Sequence, residues 1–508
     1  MLTPLPASAW NRSAAAHLAL RAGFGANPDE VDRLAGAGLE KAVEQFLSSV
    51  PEETLAPVWT DPRSFLAWRE KIRLAQDPVV KRELERQNRQ EGAAQMRELT
   101  LWWLERMAVS RAPLAEKAAL FWHGHFATSN DKVHSPYKMY LQNEAFRRGG
   151  LGDARELTKA VSRDPAMLVW LDLNGSRKEY PNENFARELL ELFTLGEGHY
   201  TEQDVKEAAR AFTGYRVEPS TQTFRCALVQ QDAGLKTFLG QTGAWDGDQV
   251  IDIIFDQPRC AQFLGVKLWR FFVLDDEPSP ALAAALGHEL GRHGCQLRPF
   301  LRTVFSSATF YSPTVRSRQI KSPVQWLVQT CRTLGAEVPP ASVLENAFRR
   351  LGQTPFYPPN VKGWDGGKAW INTATLSFRY AFGRQLVMGR TPPQAHPAVP
   401  APDAAMAGGS QGPVMAGPDI PAAARAAVPP EQKAISPLPL QNLIDESDRR
   451  SPRQLIARLC DLIYAGNPPT GLPEQFLPLI SSKPLPLNDQ AVRELVALML
   501  ETPYYQLC

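Results

Sequence analysis

The chain of 508 residues is long enough for two to four domains, or for one large helical body with additions. Its 44% hydrophobic and 22% charged content is ordinary for a globular protein with a sizeable core, and a net charge of +2 argues against a nucleic-acid partner. No C-x-x-C pair occurs among the six cysteines (Cys226, Cys260, Cys295, Cys331, Cys460, Cys508), which leaves iron–sulfur, c-type haem and zinc-ribbon readings without support. Scattered in this way, they read as reduced core residues.

From the N-terminus, Met1–Gly25 carries no apolar run flanked by basic residues. That predicts a cytoplasmic protein, or a periplasmic or exported one if the true start lies upstream. No stretch approaches the ~20 apolar residues of a membrane span. Residues 29–49 predict two short helices around the Gly36–Gly38 break, with Leu34, Leu39, Val43 and Phe46 inward. A long charged helix runs from about Asp77 to Ser110, with Met96, Leu99, Trp103 and Met107 on its apolar stripe. Helical periodicity continues at 113–125, 136–147, 153–162, 183–195, 202–213, 248–256, 258–272, 279–293 and 321–334. The best strand candidate is Gln222–Val229, as part of a small hairpin.

Residues 391–438 are rich in Pro, Ala and Gly with almost no aromatics, the composition of a disordered linker or insertion. Helical pattern resumes at 452–464 and 489–500. The expectation is a mainly α protein: one large multi-helix domain over 1–390 with long loops and at most a small β-hairpin. The linker follows, and C-terminal helices over 439–508 pack back on the main domain.

Chemistry is densest at 181–214. At 100° per residue from 183, Phe185, Leu189, Leu192 and Phe193 share one side. Asn184, Arg187, Glu188 and Glu191 gather on the other, with Asn182 just before them. Thr201 and Asp204 form an acidic capping box for the next helix, and Gly214 suits its C-terminal end. The plain reading of the polar stripe is a solvated face knitted by ion pairs of Arg187 with Glu183 and Glu191, worth ~0.2–0.5 kcal/mol each. The functional reading makes Glu188 and Glu191 an acid–base pair or oxygen ligands, with Arg187 clamping an anion.

This run, together with PheTrpHisGlyHisPhe (121–126), LysLeuTrpArgPhePhe (267–272), GlnIleLysSerProVal (319–324) and TyrProProAsnValLysGlyTrp (357–364), resembles the domain-of-unknown-function 1800 family. The resemblance spans about His17 to the terminal ThrProTyrTyrGlnLeuCys and implies a mainly helical fold without an established activity. It also implies frequent export, and a protein partner of alkaline-phosphatase-like hydrolase type.

His123 and His125 invite a metal reading, but they stand about 200° apart on a regular helix. They could hold one divalent ion only if the helix broke at Gly124 and ligands such as His134, Glu188 or Glu191 joined them; hydrogen-bonded structural roles are the alternative. The LeuGlyGluGlyHis turn (195–199) has no distal Arg and His at haem spacing, so a glycine turn between helices explains it. In 356–372, prolines and glycines fix a non-helical path bearing Tyr357, Asn360, Lys362, Trp364, Asp365, Trp370 and Asn372. It is either a ligand-stacking loop or a plug of two tryptophans in the core. No haem, NAD or nucleotide signature is present, and no G-x-S-x-G elbow.

Two functional readings follow. One is an enzyme or ligand-binding protein, with metal-assisted hydrolysis as one form. Its pocket would combine the 181–191 face, His123 or His125, and the ligand residues Asn182, Asn184, Asn360, Lys362, Trp364, Asp365 and Trp370. The other is a non-catalytic partner of the hydrolase-like protein, with the same residues in structural networks.

Overall fold

The computed structural model describes residues 2–52, 56–60, 62–389, 434–441 and 443–508. Helices dominate these residues, and the only named strands among them form two small antiparallel pairs. Tyr215–Val217 pairs with Phe224–Cys226, so the strand expected at 222–229 is shorter than its composition suggested and ends in a 3-10 turn at Leu228–Gln230. A second hairpin, Lys236–Phe238 with Gln241–Gly243, adds to the one expected.

Several prolines mark helix starts. In Asn27–Pro28, Asp77–Pro78, Ser135–Pro136, Asp164–Pro165, Ser279–Pro280, Ser322–Pro323 and Ser451–Pro452, a side-chain cap precedes a proline in the first turn. Proline is favoured there because its missing N–H would have no helical partner and its φ is already helical. The Thr201–Asp204 capping box forms as its sequence implies, opening the Glu202–Ala211 helix.

The core is continuous across the molecule, with Trp103, Trp122 and Trp326 fully buried. Five of the six cysteines are buried, Cys226 is half-buried, and all are free thiols. The helices Pro258–Phe272 and Pro280–Arg292 form a tight hairpin. Gly287 makes this approach possible, since a Cβ there would stand 2.8 Å from the Gln262 Cα.

The expected linker at 391–438 lies outside the described residues as far as 433. Its last part is packed, with Ile435 and Leu438 buried and Leu438 N donating to Val387 O at 3.0 Å. Beyond it the chain returns to the body. The Asp489–Leu500 helix lies on the Thr373–Met388 helix, and Gln319 and Cys508 exchange backbone hydrogen bonds at 3.2 and 2.8 Å. This pairing holds the 319–322 segment, which forms one wall of the cleft described next.

Candidate functional site

A cleft of about 330 Å³ lies where four chain-distant segments meet. The Pro113–His125 helix brings Phe121, Gly124 and His125 to its end. From the Pro258–Phe272 helix come Lys267, Arg270 and Phe271. The 319–325 segment supplies Gln319, Ser322 and Gln325, and the 362–370 loop supplies Lys362, Trp364, Asp365 and Trp370. Asp275 lines it as well. Three cationic side chains therefore face two carboxylates across a partly aromatic wall.

The fifth sequence motif closes the site from behind. The helix expected at 183–195 is α only over Asn184–Glu188 and becomes a π-helix over Leu189–Thr194, with Leu195 N bonding to Leu190 O. A π turn carries an extra residue and recurs at functional sites. It leaves carbonyls at its C-terminal end that basic side chains cap: Lys267 Nζ donates to Leu192 O at 2.8 Å, His125 Nε2 to Phe193 O at 3.0 Å, and Arg259 Nε to Leu195 O at 2.8 Å. Cations at the negative end of a helix are favoured by its dipole.

The bond to Phe193 fixes the chemistry of His125. A carbonyl oxygen can only accept, so Nε2 carries the hydrogen and Nδ1 is left with its lone pair. Nδ1 is buried and has no hydrogen-bond partner, although the residue lines the cleft. Burial first, and then the Lys267 charge, hold His125 well below the usual histidine range, so the ring is neutral. Lys267 is itself lowered to about 8 by desolvation. Asp275 is raised by burial, although its carboxylate accepts from Ile320 N at 3.0 Å.

The other residues singled out from sequence are divided by the structure. Lys362, Trp364, Asp365 and Trp370 join His125 at the cleft. Asn360 instead accepts from Lys362 N in a local turn, and Asn182 accepts from Asn184 N at 2.9 Å. Arg187 is taken up by Glu202 in a two-pronged ion pair at 2.7 and 2.8 Å, and by Glu183 at 3.2 Å. Glu191 accepts from the Tyr200 hydroxyl at 3.1 Å. Glu188 is half-buried outside the cleft lining; burial and then Glu191 raise its pKa, and the charges of Arg187 and Lys362 act against that rise.

His123 points elsewhere. Its Nε2 accepts from Phe356 N at 2.9 Å, its ring packs against Trp103, Phe356 and Trp364, and burial lowers it to about 3. His123 and His125 thus direct their ring nitrogens to different parts of the chain. Among the described residues, no three His, Cys, Asp or Glu side chains are grouped as a metal site.

Lys267, Arg270, Asp275, Gln319 and Gln325 were not singled out as site residues by the sequence. The signal for two of them was present: Lys267 and Arg270, at i,i+3 in a mostly apolar helical stretch, share a face.

The architecture defines a predominantly helical protein with a cationic, aromatic-walled cleft at the junction of distant segments. The chain belongs to the family described as protein of unknown function DUF1800, whose model matches residues 17–507. No curated protein and no solved structure matches it. Among the described residues, no helix is long and apolar enough to cross a membrane.

Proposed function

We propose that the cleft binds a small organic oxyanion that also carries a hydrogen-bond donor and a flat apolar portion, and that His125 Nδ1 accepts from that donor. The observation that carries this reading is the buried, unpartnered Nδ1 of His125 in a cleft of about 330 Å³ built by four of the five family-bearing motifs. A buried polar atom without a partner costs free energy of the order of 1–3 kcal/mol, and a ligand hydrogen would recover it. Lys267, Arg270 and Lys362 supply the attraction for an anion, and Trp364 and Trp370 a stacking wall. A neutral imidazole with a free lone pair is the form of histidine that accepts a hydrogen bond. No step of this reading requires a metal.

Titration calorimetry with phenyl phosphate and benzoate tests the binding. Saturable binding is expected, with Kd raised about tenfold in Arg270→Gln, the size of one lost charge-assisted bond. Absence of saturable binding of either compound, or unchanged affinity in both Arg270→Gln and Trp364→Ala, would sink the reading. In His125→Gln, binding of benzoate and phenyl phosphate, which offer Nδ1 no donor, should survive, while 4-hydroxybenzoate should lose whatever affinity it gains over benzoate in the wild type.

The affinity should also fall with rising pH. Free Lys267 is charged below about 8 and neutral above it, so anion attraction weakens between pH 7 and 9. Lys267→Met should bind more weakly at pH 7 and lose that pH dependence, as read from the same titrations at the two pH values.

A further inference from the structure

A second cavity, of about 440 Å³, opens between the Arg12–Ala22 helix, the 316–321 segment and the 463–470 loop, and shares no lining residue with the first cleft. We propose that it is a separate ligand site for a small free oxyanion, a phosphate or carboxylate compound, held by Arg316 and Lys321.

The argument is one of unbalanced charge. Arg316, Arg318 and Lys321 line the cavity, and no acidic side chain does among the described residues. Lys321 is 1% exposed, and its ammonium donates to Tyr505 O at 2.6 Å while lying 3.8 Å from the Tyr505 ring centroid. An ammonium has three donors, and a ring face satisfies charge better than it satisfies a hydrogen bond. Arg316 reaches Ser13 Oγ through Nη1 at 3.0 Å, but its Nε is buried without a partner.

Behind the wall lie more cations. Arg21 is fully buried with Nη2 unpartnered, and Lys117 is fixed on Leu20 O and Gly23 O at 3.0 and 2.7 Å. His17, on the cavity wall, is held well below its usual range by burial first and then by the charges of Arg21, Arg316 and Lys117. Burial likewise pushes Lys321 down to about 7, with the Cys508 charge acting against that fall and Arg379 adding to it. Positive charge of this density in a low-dielectric pocket is stabilised by an anion more strongly than any exposed cluster would be.

Calorimetric titration of the full chain with inorganic sulfate, inorganic phosphate and succinate, against sodium chloride at matched ionic strength, tests this. Saturable binding of at least one oxyanion is expected, and the strongest of the three assigns the ligand chemistry. Its Kd should rise about tenfold or more in Lys321→Met and in Arg316→Gln, and stay unchanged in Arg270→Gln of the first cleft. The Lys321 substitution replaces a buried charge by an apolar side chain of similar length, so folding should survive it. If it does not, Arg316→Gln at a half-buried position carries the test. No oxyanion binding beyond chloride, or binding unchanged in the folded variants, overturns the proposal. Loss of binding only in Arg270→Gln also overturns it and assigns the anion to the first cleft.

Discussion

Replacing Glu116 by Ala is expected to destabilise the protein by about 3–5 kcal/mol, measured by chemical denaturation at neutral pH. Glu116 is fully buried in the first turn of the Pro113–His125 helix. It accepts from Arg106 Nε at 2.5 Å, Arg147 Nε at 2.8 Å and Trp103 Nε1 at 3.2 Å. Both guanidiniums are almost wholly buried and lie over the Trp102 ring, at 5.6 and 5.1 Å. Removing the carboxylate takes the shared counter-charge from two buried guanidiniums, leaving Glu144 to Arg147 and the Glu52 carbonyl to Arg106, and a desolvated cation that loses part of its pairing costs more than the network contributes. Glu116→Gln, which keeps an acceptor but not the charge, should recover part of the loss. The triple change Arg106→Met, Glu116→Leu, Arg147→Met should fall much closer to wild type. A single variant as stable as wild type would show that water reaches this network. The consequence extends to the cleft, because the same helix ends in His123 and His125.

The helical body was legible because its signals are local. Leu34, Val43 and Phe46 repeat at helical spacing and are buried in the helices expected of them, and Thr201 with Asp204 caps where the pair predicts. The candidate site was legible only in pieces. A wheel turned at 100° per residue grouped Asn184, Arg187, Glu188 and Glu191, but the π turn that begins at Leu189 breaks that period. No cap or composition marks a π turn, so nothing local warned of it. Arg187 then meets Glu202 in the next helix, and Glu191 meets Tyr200. The loop tryptophans and His125 were visible as residue types, but what unites them is not. Lys267 stands 142 positions from His125 in the chain, and the two converge because both cap the end of one π turn. Such a partnership has no period and no spacing. It follows from packing, as does the role of Cys508 in holding Gln319 at the cleft wall.

The second large effect is expected at Gly363. Substitution by Ala should destabilise the protein by about 2–4 kcal/mol, the sum of left-handed backbone strain and steric overpacking. Gly363 has φ +80°, in the left-handed region, and a Cβ there would run into Gly124 O well inside van der Waals contact. Neither side can yield easily, because the opposing atom is backbone at the last turn of the Pro113–His125 helix. The residues on either side, Lys362 and Trp364, both line the cleft, and the Trp364 ring packs 5.5 Å from that of His123. Relief of the clash must therefore move the loop away from the helix end, and with it the stacking wall. Gly363→Ala should accordingly lose benzoate and phenyl phosphate binding by more than its stability loss alone predicts, measured well below its melting temperature. Oxyanion binding in the second cavity, which shares no residue with this loop, should be unchanged in the same protein. A variant that is destabilised yet binds benzoate like wild type would show that the loop does not form the ligand wall. One that loses both binding activities would show that the two cavities depend on the same local packing.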